Sequence, residues 1–285
     1  MRAPSLCWLP IVVALAACGR RDPADAAPVL RVSMIPTTTA DKMLRESEPL
    51  RAYLEHATGA KVELTIPLNY AAVVEAFGAG KVDIAYFGGF TYVQAQKRFG
   101  ARPLVQRDRD QAFHSLFITQ ADAPIGALAD LAGKRFAFGD VNSTSGHLMP
   151  EYFLRKANVD PAVISGAIYT GGHDATALAV VNRKVDAGAL DEAVYGKLVK
   201  DGKLDASRLK VFYTTPAFFD YVWAARPALA PGLADQFARA MLALDPNKPE
   251  HRPVLDLLQA TRYVAASDAD YAPLREAATA AGLLK

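Results

Sequence analysis

Lys81-Val-Asp-Ile-Ala-Tyr-Phe-Gly88 returns in part 103 residues later as Lys184-Val-Asp-Ala-Gly-Ala-Leu-Asp191. The same shift lays Ala72 on Ala175, Ala76 on Ala179 and Tyr92 on Tyr195 without a gap. Each copy, 70–96 and 173–199, reads helix, short turn, apolar strand, loop, helix. With a shift one residue larger, the strand before Thr37-Thr38-Thr39 falls near the strand before Ser143-Thr144-Ser145. Around this repeat, period-two apolar runs predict strands at 30–35, 61–66, 82–87, 115–119, 135–139, 185–190 and 209–213. Period-3.6 patterns predict helices at 47–57, 70–78, 91–99, 146–157, 174–182, 191–200, 231–244 and 269–281. Strands alternating with helices predict an α/β class with mostly parallel sheets. The repeat predicts two similar lobes, the first from 29 to 118 and the second from 119 to 214. The remainder, 215–285, must pack on one of them.

Composition agrees with two units. The chain has 285 residues, about two domains' worth, and 51% of them are apolar, enough for a core in each. Net charge is +2 with no basic block, which excludes a nucleic-acid footprint. The N-terminus stands outside the fold. Arg2 and the apolar run 6–18, too short to span a bilayer, read as a signal peptide. Leu15-Ala-Ala-Cys-Gly19 resembles a bacterial lipobox, which implies cleavage of 1–17, a lipid on Cys18 and a tether over 18–29. Cys7 leaves with the leader, so the mature chain can form no internal disulfide and offers no thiol nucleophile in its folded part. The expectation is an extracytoplasmic protein touching a membrane only through its anchor.

In open α/β sheets, ligands bind beyond the C-terminal ends of strands. The repeat therefore nominates matched loops. Lobe one offers Thr38 with its neighbours, Tyr70, and Phe87, Gly88 and Gly89; lobe two offers Ser143, Thr144 and Ser145, then His173, then Asp191 with Glu192. Three hydroxyls precede Gly146 and a helical pattern. One suffices as a cap; the others either extend a polar turn or, with the helix N-terminus, grip a tetrahedral oxyanion. Gly88 and Gly89 either expose backbone N–H groups or make a tight turn. His173 is a ligand donor or a structural histidine. Asp191 caps a helix or accepts a proton from a protonated anion. The aromatic stretch 218–223 lines a pocket or forms strand and core.

Enzyme chemistry finds no support. Gly80-Lys81 and Gly133-Lys134 lack the earlier glycine of a phosphate loop, since Glu75 and Leu128 stand there. No Gly-x-Ser-x-Gly elbow occurs, and the five histidines show no metal-ligand spacing. No cofactor, metal or catalytic residue is expected.

Leu50-Arg-Ala-Tyr-Leu-Glu-His-Ala-Thr-Gly59, the Lys81–Gly88 string, Leu128-Ala-Asp-Leu-Ala-Gly-Lys134 and Ser143-Thr-Ser-Gly146 occur in an order and spacing that resemble the substrate-binding proteins of ABC importers for phosphonate, phosphite and phosphate. The longer strings around Ser143, His173 and Asp186 are most similar to a branch named for selenate. The resemblance implies a type II periplasmic-binding-protein fold, with 215–285 returning to lobe one and a ligand cleft between the lobes. It implies that Ser143, Thr144 and Ser145 hold the oxyanion, with His173 in the place of the family's ligand histidine. Family members often carry an aromatic hydroxyl directly before the first-lobe glycine. Here Phe87 stands in that place and Tyr86 one step earlier. The expected function is capture of a small tetrahedral oxyanion and delivery to a permease and ATPase, by a monomer anchored in the periplasm. Two rivals remain at this stage: the ligand-binding part of a membrane sensor, and a binder of a small organic ligand.

Overall fold

The computed structural model describes residues 27–160 and 164–284; the expected leader and Cys18 lie outside the described residues. In chain order the elements are β1 (Val29–Met34), α1 (Ala40–Glu46), α2 (Glu48–Thr58), β2 (Lys61–Thr65), α3 (Tyr70–Gly78), β3 (Ile84–Phe87), α4 (Gly89–Phe99) and β4 (Arg102–Arg107). There follow β5 (Ser115–Gln120), β6 (Phe136–Phe138), α5 (Met149–Lys156), β7 (Ile168–Tyr169), α6 (His173–Val181), β8 (Ala187–Asp191), α7 (Glu192–Lys200) and β9 (Leu209–Thr214). The chain closes with β10 (Val222–Ala225), α8 (Pro231–Leu242), α9 (Arg252–Leu258), β11 (Tyr263–Ala265) and α10 (Ala272–Ala280). Two sheets result, one ordered β11-β4-β10-β3-β1-β2 and the other β7-β6-β8-β5-β9.

The repeat is structural. Helices α3 and α6 start at Tyr70 and His173, strands β3 and β8 at Ile84 and Ala187, helices α4 and α7 at Gly89 and Glu192. The repeated aspartate makes the same contacts in both halves. Asp83 accepts from the backbone N–H of Arg31 at 2.9 Å and from its guanidinium at 2.9 and 2.8 Å. Asp186 does the same with the Arg135 backbone at 2.8 Å and its guanidinium at 3.3 and 2.7 Å. In each half this carboxylate, just before β3 or β8, ties that strand to its parallel neighbour, β1 or β6.

The expectation of mostly parallel sheets needs correction. β1 pairs in parallel with β2 and β3, and β6 with β7 and β8. The pairings of β10 with β3 and β4, β11 with β4, and β5 with β8 and β9 are antiparallel. The cause is the route of the chain: it leaves the first sheet after Arg107, builds the second, and returns after Thr214 to insert β10 against the run of β3.

Alternation sets the layers of the second sheet. Phe117, Phe136, Phe138, Ala187 and Ala189 face one buried cluster, and Ile118, Ala137 and Leu190 face the other with Ala177 and Val180 of α6. Gly188 lies under α6, where an added Cβ would stand 2.9 Å from Thr176 Cγ2 and 3.1 Å from Val180 Cγ2. This close approach fixes α6, and with it His173 at its first turn.

The two crossing segments are laced together. Phe113 and Phe218 exchange backbone hydrogen bonds of 2.9 and 3.0 Å, and the Asp220 N–H donates to the Asp110 carbonyl at 3.0 Å. Beside them the buried Arg107 guanidinium donates to Asp110 and to the Leu258 carbonyl and lies 4.8 Å from the Tyr221 ring.

Candidate functional site

The loops at the C-terminal ends of β1, β3, β6 and β8 meet between the two sheets, and the three hydroxyls in a row do three different things. Ser143 is the cap: its Oγ accepts from the Gly146 N–H at 3.0 Å. Thr144 bridges the halves, its Oγ1 accepting from the Phe90 N–H of α4 at 3.0 Å. Ser145 Oγ is buried and finds no partner among the described residues. A single π-helical turn, Thr144–Leu148, displays them before α5 begins. Such a wide turn is rare and turns successive side chains and N–H groups away from regular helical spacing.

The turn needs Gly146. A Cβ there would lie 2.9 Å from Ser143 Oγ, 3.0 Å from His173 Cε1 and 3.1 Å from Gly139 Cα. Gly146→Ala is expected to cost about 1–3 kcal/mol of stability by overpacking. A lower urea midpoint at unchanged slope is the readout; a midpoint equal to that of the parent protein rejects this account.

Opposite the hydroxyls stand the two residues that begin the repeated helices. Tyr70 and His173 are both about 1% exposed, and the Tyr70 hydroxyl lies 3.4 Å from His173 Nε2. The Asp191 N–H donates to His173 Nδ1 at 3.2 Å. Burial, opposed by Asp191, Asp174 and Asp140, pushes the imidazole below the ordinary histidine range. A neutral ring with Nδ1 accepting carries its proton on Nε2, aimed at the Tyr70 oxygen. Burial, reinforced by Asp140, Asp191 and Asp220, pushes the Tyr70 phenol well above its ordinary range, so it stays a donor. The His173 N–H in turn donates to the Thr37 carbonyl of the other half at 3.1 Å.

Gly88 caps α4 in extended conformation, and a Cβ there would stand 3.1 Å from Thr144 Oγ1 and 3.4 Å from Asp220 Oδ1. The Gly89 N–H donates to Asp220 Oδ1 at 3.0 Å. Asp220 is the site residue that sequence reasoning missed. It lies on the returning segment, inside a stretch read only for its aromatics. Its Oδ2 has no partner among the described residues. Burial pushes its carboxyl up to about 7, against the Gly89 N–H and the Thr144 hydroxyl, which pull it down.

The other nominated residues divide. Tyr86 is buried, stacks on Tyr221 at 5.2 Å between centroids, and has a hydroxyl with no partner among the described residues. Phe87 points the other way, its ring packing edge-on against Phe77 in the core. Asp191 caps α7 through the Val194 N–H at 2.8 Å and accepts from the Tyr221 hydroxyl at 2.6 Å. Glu192 stands outside, 3.8 Å from the Arg109 guanidinium. Thr38, half-buried, borders a cavity beside Tyr86 and Asp191. Among the described residues no group of three or more His, Cys, Asp or Glu side chains could hold a metal, and no helix is long and apolar enough to cross a membrane.

Buried neutral donors from both halves, helix N-termini and one acceptor carboxyl can jointly hold a small oxyanion. Comparison with known proteins points the same way. The family described as "ABC transporter, phosphonate, periplasmic substrate-binding protein" matches residues 32–271. A probable ABC transporter phosphite-binding protein, PhnD1, of Prochlorococcus marinus is 32% identical over 87% of this chain and 88% of its own. The phosphate-import protein PhnD of Mycolicibacterium smegmatis is 36% identical over 76% of this chain and 72% of its own. The solved structure of the Prochlorococcus PhnD1 with methylphosphonate superposes with a TM-score of 0.85 at 31% identity, covering 90% of this chain and 98% of that one.

Proposed function

Because the chain belongs to the phosphonate-type periplasmic substrate-binding proteins of ABC transporters, we propose that it captures a small phosphorus oxyanion of the phosphonate or phosphite type between its two sheets and hands it to a membrane permease. The observation that carries this reading is the set of buried groups converging from both halves. Ser143, Thr144 and Ser145 come from one side, Tyr70 and the α4 N-terminus from the other, and His173 joins them. Each sheet with its helices acts as a lobe. The anion docks on the hydroxyl turn of the second lobe, and hinging at the two crossing segments brings up Tyr70 and the Gly88-Gly89 backbone. Charge-assisted hydrogen bonds contribute about 1.5–3 kcal/mol each. A handful offsets closure and desolvation and leaves roughly micromolar affinity, on the order of −8 kcal/mol.

Asp220 narrows the ligand. A fully ionised anion such as sulfate or selenate needs donors only, and a carboxyl beside it is repulsive once ionised. An anion that keeps a proton near neutral pH can donate that proton to Oδ2. This favours phosphonate, phosphite or phosphate over selenate. The lipobox-like stretch further supports anchoring through Cys18 as a periplasmic lipoprotein, and the family match supports ATP hydrolysis on other subunits.

The test is calorimetric titration of the purified protein with methylphosphonate, phosphite, phosphate, sulfate and selenate at one pH. Micromolar binding of a phosphorus oxyanion is the expected result. Preference for sulfate or selenate, or binding of none of the five, rejects the reading.

A further inference from the structure

The hydroxyl turn also carries His147, buried at 2% exposure and two residues beyond Ser145 in the same π-helical turn. Its ring is held from both sides. Nδ1 stands 2.7 Å from the carbonyl of Val141, in the loop that leads into Ser143. A carbonyl only accepts, so Nδ1 carries a proton and donates it. Nε2 stands 3.0 Å from Oε2 of Glu151, in the first turn of α5, and 3.0 Å from the Tyr169 hydroxyl on β7. The imidazole thus bridges the loop before the turn, the helix after it and the strand beside it. Phe138 closes the ring's flank, edge-on at 5.2 Å between centroids.

A second proton decides what this bridge does. With Nδ1 protonated, a neutral ring can only accept at Nε2. It takes the Tyr169 hydroxyl and turns a lone pair on the Glu151 carboxylate. An imidazolium has an N–H at Nε2 as well, and its bond to Glu151 is charge-assisted. The bond from His147, opposed by burial and joined by those from Arg155, holds the Glu151 carboxyl below its ordinary range. Burial, then Glu151, pushes the Tyr169 phenol up, so it keeps its proton. Arg155 donates to the other oxygen of Glu151, Oε1, at 2.9 and 2.7 Å. The charged groups facing the ring are therefore Glu151 and, behind it, Arg155. With a neutral ring the three side chains sum to zero. With an imidazolium they carry one net positive charge, on a turn whose hydroxyls address an anion. The nominated oxyanion donors include no lysine or arginine, so this charge has no substitute among them.

We propose that His147 positions the hydroxyl turn as an imidazolium, bolting the Val141 carbonyl to Glu151 and adding one positive charge to the turn that carries Ser143, Thr144 and Ser145, so that ligand binding and protonation of this ring favour each other. The proposal rests on the phosphorus-oxyanion reading above and deepens it, giving that site a positioning residue and a pH dependence. Rising pH removes the Nε2 proton, so the contribution of His147 is present in acid and lost through the histidine range.

The test is calorimetry with methylphosphonate on the parent protein and on His147→Gln, from about pH 5.5 to about pH 8.5, either side of the ordinary histidine range. Ionisation of the ligand, of Asp220 and of His173 is common to both proteins and cancels in the ratio of their dissociation constants, variant over parent. That ratio is expected to fall about tenfold from the acid to the alkaline end. A ratio that stays constant, whatever its size, makes His147 purely structural and overturns the inference, as does a ratio that rises with pH. Where the variant does not fold, the parent protein alone decides, by NMR titration of the His147 ring with and without saturating methylphosphonate. A tenfold mutual preference raises the ring's midpoint by about one pH unit on binding. A midpoint that does not move overturns the inference. If methylphosphonate binds and only the pH behaviour fails, the general function stands. If it binds the parent protein at no pH, both fall.

Discussion

Replacing Ser143 and Ser145 together by alanine is expected to weaken ligand binding by roughly 10²- to 10⁴-fold and leave the fold intact. Ser145 Oγ is a buried hydroxyl with no protein partner among the described residues. Ser143 Oγ accepts from the Gly146 N–H, which leaves its own proton to donate. Two charge-assisted donors lost at about 1.5–3 kcal/mol each give that range. The fold loses one helix cap, about 1 kcal/mol. That cost reads as a lower melting temperature with an unchanged far-ultraviolet spectrum. Calorimetry of the double variant with methylphosphonate decides the matter, and an affinity within about threefold of the parent protein's rejects the hydroxyl assignment.

The second large effect is at Asp220. Its carboxyl titrates at about 7 in the fold against an ordinary 3.8, so ionising it costs more in the folded chain than in the unfolded one. The penalty is absent below pH 3.8, grows as pH rises towards 7, and is complete above that, on the order of 4 kcal/mol for a shift of this size. Asp220→Asn keeps an oxygen for the Gly89 N–H and removes the titration. The unliganded variant is therefore expected to be several kcal/mol more stable than the parent protein at pH 8 and to match it near pH 4. Urea unfolding across that pH range measures the gap, and two parallel curves exclude the account. The same substitution exchanges an acceptor for a donor where Oδ2 stands. It is expected to weaken methylphosphonate by roughly 10- to 100-fold and to tighten sulfate. A variant that weakens both ligands equally argues that Asp220 only positions the α4 N-terminus.

The sequence carried the parts of this site that repeat. Tyr70 and His173 could be paired before any coordinates because their helices start at one fixed offset, and their side chains meet at 3.4 Å. Ser143 could be read as a cap because hydroxyl, turn and helix are local. The division of labour among Ser143, Thr144 and Ser145 could not, since Thr144 is engaged by Phe90 from the other half of the chain. Asp220 was illegible for the same reason on a larger scale: its partner Gly89 is 131 residues away. The strands β4, β10 and β11 escaped because they are short or interrupted, and their pairing depends on the returning segment. Helix α1 escaped because it buries no residue and so shows no apolar face. At Asp191 both readings were open, and the cap is the one its hydrogen bonds display.

The twin Arg–Asp clamps give the two halves one frame. A carboxylate locks Arg31 in one half and Arg135 in the other, and the helices begin at a constant offset. The halves differ where they face each other. Tyrosine stands opposite histidine at one pair of helix starts. At the other, Gly88 leaves the N-terminus of α4 to Asp220 and Thr144 from elsewhere in the chain, where Asp191 caps α7 with its own side chain. Two equal halves would meet a ligand with the same chemistry twice. These are a left and a right hand, one offering a phenol and the other an imidazole and hydroxyls, and a molecule held between them can be asymmetric.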